Sequence, residues 1–225
     1  MKKNKITLAL VLIVLLESVY VIYFQIKTNK TIFQLEEFVQ LYSIKDQIST
    51  NGKIYMIGNS ITYGGDWNKL LNEDRIVNKA ISGITTMDAV MMVDKLVPDR
   101  PEEVFIMLGV NDIKVNAPWD VVYLNYSNFL YSVKHFSPKT KINIISVLPV
   151  NFTDFHNYNI DNSEIDRLNQ ALKELCFKFK FNYINCHNDF SNENGELRQD
   201  LSPDGLHLND LGYDKLVSWI KPAFN

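Results

Sequence analysis

Short apolar runs alternate with longer amphipathic stretches from residue 53 to residue 220, and this alternation leaves few architectures open. Lys53–Ile57, Arg75–Asn78, Glu103–Leu108, Lys141–Val147 and Phe181–Asn185 read as strands, being short, rich in Ile, Val and Phe, and set off by Gly, Pro or Asn. Helical spacing fills the gaps at Asp66–Leu71, Thr85–Leu96, Trp119–Phe136, Asn162–Lys180 and Asn209–Ile220. The strongest strands are apolar at successive positions rather than at every second one, so both of their faces must be covered. A helix after each strand predicts right-handed crossovers, hence an α/β fold: a three-layer α/β/α sandwich around a five-stranded parallel sheet. Such sheets bind ligands outside the carboxyl ends of their strands, so the loops at those ends are the ones to search for chemistry.

The chain ahead of this pattern has a different character. Lys2, Lys3 and Lys5 precede an apolar run from Ile6 to Ile26. About 20 such residues suffice to cross a bilayer as a helix. The run ends in Val-Tyr-Val-Ile-Tyr-Phe-Gln, with bulky side chains where a signal peptidase requires small ones. The expectation is therefore an uncleaved signal anchor over 1–28, a single transmembrane helix that leaves the rest outside the cytoplasm, at the cell surface or in a periplasm. Ile32, Leu35, Phe38, Val39, Tyr42 and Ile48 recur at helical spacing and predict a linking amphipathic helix within 29–52, closed by Asn51-Gly52. The catalytic candidate is then the domain 53–225. An exported domain can form disulfides. Nothing in the sequence brings Cys176 and Cys186 within bridging range, and two reduced, buried thiols are the simpler expectation.

Composition closes off two function classes. The formal net charge is −3, with no basic run beyond the first few residues, so no nucleic-acid partner is expected. The two cysteines form no C-x-x-C pair, and His135 and His187 have no companions at metal-ligand spacing, so neither a metal nor a cofactor is expected.

The loops at the predicted carboxyl edge carry a different chemistry. After the first strand stands Gly58-Asn59-Ser60, after the second Ser82-Gly83, and after the third Gly109-Val110-Asn111-Asp112. Ser202-Pro203-Asp204-Gly205-Leu206-His207 precedes the last helix. Ester hydrolysis needs a hydroxyl activated by a base, a group that orients the base, and donors for the oxyanion. Ser60 suits the first role, in a tight strand-to-helix turn. His207 suits the second, since histidine titrates near neutrality. Asp204, three residues earlier, can reach the ring. Gly83 can offer an unobstructed backbone N–H, and Asn111 a side-chain amide N–H. Each block alone has an ordinary structural reading as a turn or a cap. Their joint occurrence, in this order and on one sheet edge, is what points to catalysis.

Ser60, Gly83, Asn111 and His207 resemble the four signature residues of the GDSL/SGNH hydrolases, and the resemblance runs from about Lys53 to Tyr213. The stretches 142–150, 165–169 and 204–213 look like the branch similar to platelet-activating-factor acetylhydrolase. The resemblance implies a flavodoxin-like fold, a triad of Ser60, Asp204 and His207, and an oxyanion hole made by the N–H groups of Ser60 and Gly83 with the Asn111 amide. One position departs from the family: its Gly-Asp-Ser reads Gly58-Asn59-Ser60 here. Asn59 and Asp112, beside the implied site, and Phe152 and Phe155, in the aromatic loop 151–159, are candidate substrate contacts. The expected activity is that of a serine esterase working through an acyl-enzyme on an acylated glycan, with short O-acetyl groups favoured. A lysophospholipase or thioesterase acting on lipid esters is the alternative enzyme. A non-catalytic glycan-binding or scaffold protein is the alternative outside enzymology. Nothing in the sequence defines an oligomeric state.

Overall fold

The computed structural model describes residues 18–36, 50–151 and 160–224. Five strands, β1 (Ile54–Gly58), β2 (Ile76–Asn78), β3 (Glu103–Met107), β4 (Lys141–Ile145) and β5 (Asn182–Ile184), form one sheet in the order β2-β1-β3-β4-β5. Every neighbouring pair is parallel. β1 and β3 are buried along their whole length, which is why they read as unbroken apolar runs. The order reverses between β1 and β3. The chain leaves β1 toward one side of the sheet and returns through β3 toward the other, so the loops after these two strands part and leave a crevice.

The helices complete the outer layers. α1 covers residues 18–36. α2 (Ser60–Tyr63) and α3 (Trp67–Leu71) follow β1; α4 (Thr86–Met91) and α5 (Val93–Leu96) follow β2; α6 (Val110–Lys114) and α7 (Trp119–Phe136) follow β3. α8 (Asn162–Phe179) follows β4, while α9 (His187–Phe190) and α10 (Asp210–Ile220) follow β5. α4, α7 and α8 pack in series as one layer, and α3 packs with α10 in the other. Trp67 meets Tyr213 edge-on in that second layer, with ring centroids 5.9 Å apart. In the core, Phe105, Ile106, Tyr126 and Phe129 are buried, and Phe224 stacks on Phe105 at 4.8 Å. Each such side chain contributes about 1.5–3 kcal/mol by leaving water.

One local expectation changes and another holds. The stretch 85–96 is not one helix, because Met92 leaves helical geometry (φ −114°, ψ 19°) and divides it into α4 and α5. Cys176 and Cys186 are free and buried, and burial pushes their thiols up to about 12 and about 11.

The larger correction concerns the N-terminal segment. Among the described residues no helix is long and apolar enough to cross a membrane, so the anchor predicted over 1–28 is not supported. Residues 1–17, which hold most of the apolar run, lie outside the described residues, as do residues 37–49 of the predicted linking helix. What is described is one continuous helix through the boundary placed at residue 28. Its carboxyl-terminal half docks on the domain: Leu35 is fully buried, Ile32 packs on the core, and Glu36 pairs with Lys178 of α8 at 2.6 Å.

Candidate active site

The turn after β1 is built by crowding. A Cβ on Gly58 would stand 2.1 Å from Thr62 Oγ1 and 2.8 Å from Met107 O, so only glycine lets α2 begin so close to β3. Asn59 is the N-cap, extended in backbone, and its side-chain carbonyl accepts the Ile61 N–H at 3.0 Å. Ser60 is thereby the first residue of α2, at the carboxyl end of β1 and in the crevice.

The segment 202–209 folds back to the same place through its own side chains. Ser202 Oγ accepts the Gly205 N–H at 2.8 Å, and Gly205 takes the left-handed conformation (φ 80°) that favours glycine. Asp204 Oδ1 accepts the N–H groups of Leu206 (3.0 Å) and His207 (2.8 Å). That leaves Asp204 Oδ2 facing His207 Nδ1 at 2.6 Å. His207 Nε2 lies 2.9 Å from Ser60 Oγ. A carboxylate only accepts, so in the neutral ring Nδ1 carries the proton and Nε2 is left to receive one from the serine. Burial works against ionisation of Asp204, but its bonds from the His207 ring and the two backbone N–H groups outweigh that, and its carboxyl lies below the usual range. Asp204 is therefore ionised when the imidazole needs it.

Asn111 and Gly83 approach from the loops after β3 and β2. Asn111 Nδ2 donates to Ile84 O at 2.9 Å. This bond uses one of two amide hydrogens, sets the plane of the group, and leaves the second for another acceptor. It also ties α6 to the loop that contains Gly83. That loop is held to β1 by Ile81 N–H on Gly58 O at 2.9 Å. Gly83 is left-handed (φ 79°), and a Cβ there would touch nothing within 4 Å. Glycine is needed for its backbone conformation, on a face that is open.

Two proposed substrate contacts prove to be internal supports. Asp112 is 2% exposed; both carboxylate oxygens accept the Thr86 N–H at 3.0 Å, and Oδ1 also accepts the Thr86 hydroxyl at 2.5 Å. Burial raises its carboxyl, with the Thr86 bonds acting against it. It holds the first residue of α4, the helix that Thr85 and Asp88 cap. Asn59 is likewise buried, with its carbonyl committed to the cap. Phe152 and Phe155 lie outside the described residues.

Other supporting residues were not singled out from the sequence. Asn162 and Asn169, two turns apart on α8, each bind one residue of the segment after β4 through both of its backbone groups: Val150 (2.9 and 2.8 Å) and Val147 (2.8 and 2.9 Å). Asn151 N–H then donates to Gly205 O at 2.8 Å, carrying this support to the Asp204–His207 loop. The available signal was asparagine at seven-residue spacing on a helix whose neighbours Ile165, Leu168 and Leu172 are apolar. Among the described residues no group of three or more His, Cys, Asp or Glu side chains is placed to hold a metal ion.

A strand-end serine, a histidine–aspartate pair and an asparagine gathered at the switch point of a parallel sheet define a class of ester-hydrolysing proteins. Residues 56–215 match the GDSL-like lipase/acylhydrolase family, and the chain belongs to it. A structure from Streptococcus pneumonia, provisionally described as a platelet activating factor, superposes with a TM-score of 0.73 at 26% identity, over 89% of this chain and 97% of that one. An acetylxylan esterase from Geobacillus stearothermophilus, solved as a catalytic mutant, gives a TM-score of 0.63 over 77% of this chain and 94% of its own; at 18% identity the likeness is one of fold. Among curated proteins, the N-acylneuraminate cytidylyltransferase of Streptococcus agalactiae serotype V is 25% identical over 141 residues, 63% of this chain and 32% of that protein. Its counterpart in Escherichia coli O18:K1:H7 is 29% identical over 181 residues, 78% of this chain and 41% of that protein. The chain thus spans about a third to two fifths of the length of these curated relatives.

Proposed function

We propose that this protein is a serine esterase that removes short acyl groups, O-acetyl above all, from a glycan. The hydrogen-bonded line Asp204–His207–Ser60 carries the reading. Ser60 Oγ attacks the ester carbonyl carbon while His207 Nε2 takes its proton, and the same proton passes to the departing sugar hydroxyl. Water, deprotonated by His207, then attacks the acyl-serine and releases the carboxylic acid. Asp204 holds the ring and balances its positive charge. The oxyanion forms toward the free Asn111 hydrogen and the N–H groups of Gly83 and Ser60.

The carbohydrate substrate draws support from names: an acetylxylan esterase shares the fold, and the curated relatives are named for an acylated sugar acid. A short acyl group draws support from the position of an apolar cleft among the described residues. This cleft, about 470 Å³, lies between α1 and the α7–α8 pair, lined by Phe24, Ile32, Trp119, Tyr123 and Leu175 among others. None of its lining residues comes from the loops that hold Ser60, Gly83, Asn111 or His207. An extracytoplasmic position is also our proposal, and it rests on the sequence of residues 2–26 alone.

A chain-length series of p-nitrophenyl esters tests the reading, with Ser60→Ala as control. Acetyl ester should turn over much faster than octanoyl ester, and the variant should be inactive. A preference for octanoyl would move the substrate to lipid esters. Wild-type turnover no better than that of Ser60→Ala, with no labelling of Ser60 by a fluorophosphonate, would leave a non-catalytic scaffold.

A further inference from the structure

We infer that Tyr213 is a positioning residue for the Ser60–His207 pair, and that Gly64 is glycine in order to admit it. α2 is a single turn, so its last carbonyls lack helical partners. Gly64 N–H reaches Ser60 O at 3.0 Å, and Gly65 N–H bends to Thr62 O at 3.4 Å rather than to Ile61 O. The Tyr213 hydroxyl donates to Ile61 O instead, at 2.8 Å. Burial pushes this phenol up to about 12, so it remains a donor throughout the range in which an imidazole base works.

What distinguishes this bond is the element it comes from. Thr62 O is also held, by Trp67 Nε1 at 2.7 Å and Asn78 Nδ2 at 3.1 Å, but those residues belong to α3 and β2. Tyr213 belongs to the segment that carries the base. Asn209 caps α10 by accepting the Gly212 N–H at 3.0 Å on its side chain and the Tyr213 N–H at 2.9 Å on its backbone carbonyl. Gly212 lies against this cap, since a Cβ there would come within 2.5 Å of Leu201 O. Residues 207–213 are therefore one stiff unit. It reaches two consecutive residues of the nucleophile turn, placing its imidazole on Ser60 Oγ and its phenol on Ile61 O. A unit held at both points cannot slide or rock without breaking one contact, and this sets the serine–histidine distance.

Gly64 supplies the independent observation. Its backbone is ordinary right-handed helix (φ −73°, ψ −11°), which any residue adopts. Its one steric demand is that an added Cβ would stand 2.5 Å from the Tyr213 hydroxyl, with the next atoms at 3.5 Å or beyond. The glycine and the phenol thus form a coupled pair 149 positions apart.

This inference rests on the reading of Ser60 and His207 as nucleophile and base, and a double-mutant cycle on the full chain tests it. With p-nitrophenyl acetate, Tyr213→Phe should lower kcat about five- to tenfold, the scale of one lost neutral hydrogen bond, with KM changed less than about twofold. Fluorophosphonate labelling of Ser60 should slow by the same factor. Gly64→Ala should lower kcat similarly by displacing the phenol. Because Phe has no hydroxyl to displace, Gly64→Ala/Tyr213→Phe should be no worse than Tyr213→Phe alone. Wild-type kcat in Tyr213→Phe, or losses that multiply in the double variant, would overturn the inference while leaving the catalytic reading intact. Activity retained by Ser60→Ala would instead remove that reading and this inference together.

Discussion

His207 and His187 both follow a strand or loop at the carboxyl edge of the sheet, and both have an aspartate within reach. Their rings differ in what the second nitrogen meets. His207 has Asp204 on Nδ1 at 2.6 Å and the Ser60 hydroxyl on Nε2 at 2.9 Å. His187 has the Val147 carbonyl on Nδ1 at 2.7 Å and Asp166 near Nε2 at 3.1 Å. A hydroxyl can surrender a proton to a ring nitrogen; a carbonyl or a carboxylate can only accept one. Exposure follows the same division, with 39% of the His207 side chain open to solvent and substrate against 8% for His187. An aspartate beside a histidine is therefore no sign of catalysis by itself. The group on the other nitrogen decides between a base and a cross-link that fastens α9 to the segment after β4.

The largest effects should separate the two histidines. His207→Ala, like Ser60→Ala, should lower kcat by roughly 10⁴- to 10⁶-fold. His187→Ala should instead keep kcat within about threefold and cost about 1–3 kcal/mol of stability, by emptying a buried site and removing one of the two donors on the Val147 carbonyl. Ester turnover and urea unfolding on the same samples check both. If His187→Ala is as inactive as His207→Ala, the comparison breaks. The aspartates extend it. Asp204→Asn should lower kcat by about 10²- to 10⁴-fold, because an amide can impose the wrong tautomer, whereas Asp166→Asn should leave it unchanged. A smaller loss, about 10²-fold in kcat with little change in KM, is expected for Asn111→Ala if its second amide hydrogen meets the oxyanion. The smallest effect is on stability against pH. Asp204 has a depressed carboxyl, so the stability it adds is present above its unfolded value, about 3.9, and is lost as pH falls through the lower folded value. At 39% exposure that contribution is modest. Acid unfolding of Asp204→Asn should show a shallower pH dependence below about pH 4 than wild type.

Much of the domain was legible because its signals are local. Ile54–Gly58 and Glu103–Met107 are apolar at every step, which only a strand covered on both faces tolerates. Asp204 and His207 are three residues apart, so the bond between them is a property of one turn. Other features were harder to see. Asp112 sits beside Asn111 in sequence, yet its partner is Thr86 at the start of α4, and no spacing rule connects the two. At the N-terminus the anchor predicted over 1–28 is not supported among the described residues, while Leu35 and Glu36 of the predicted linking helix find partners on the domain.

The sequence by itself determined the strand–helix alternation, the edge of the sheet where the candidate groups gather, and which residues those candidates are. Periodicity and residue chemistry are written into short stretches, so these could be read without coordinates. Only the tertiary structure decided which groups meet. Ser60 and His207 are 147 positions apart and touch because α10 packs beside α3 and returns the 202–209 loop to the end of β1. The same packing set Tyr213 on Ile61. Contacts of this kind depend on the closure of the whole sheet and its helices, which no local pattern encodes.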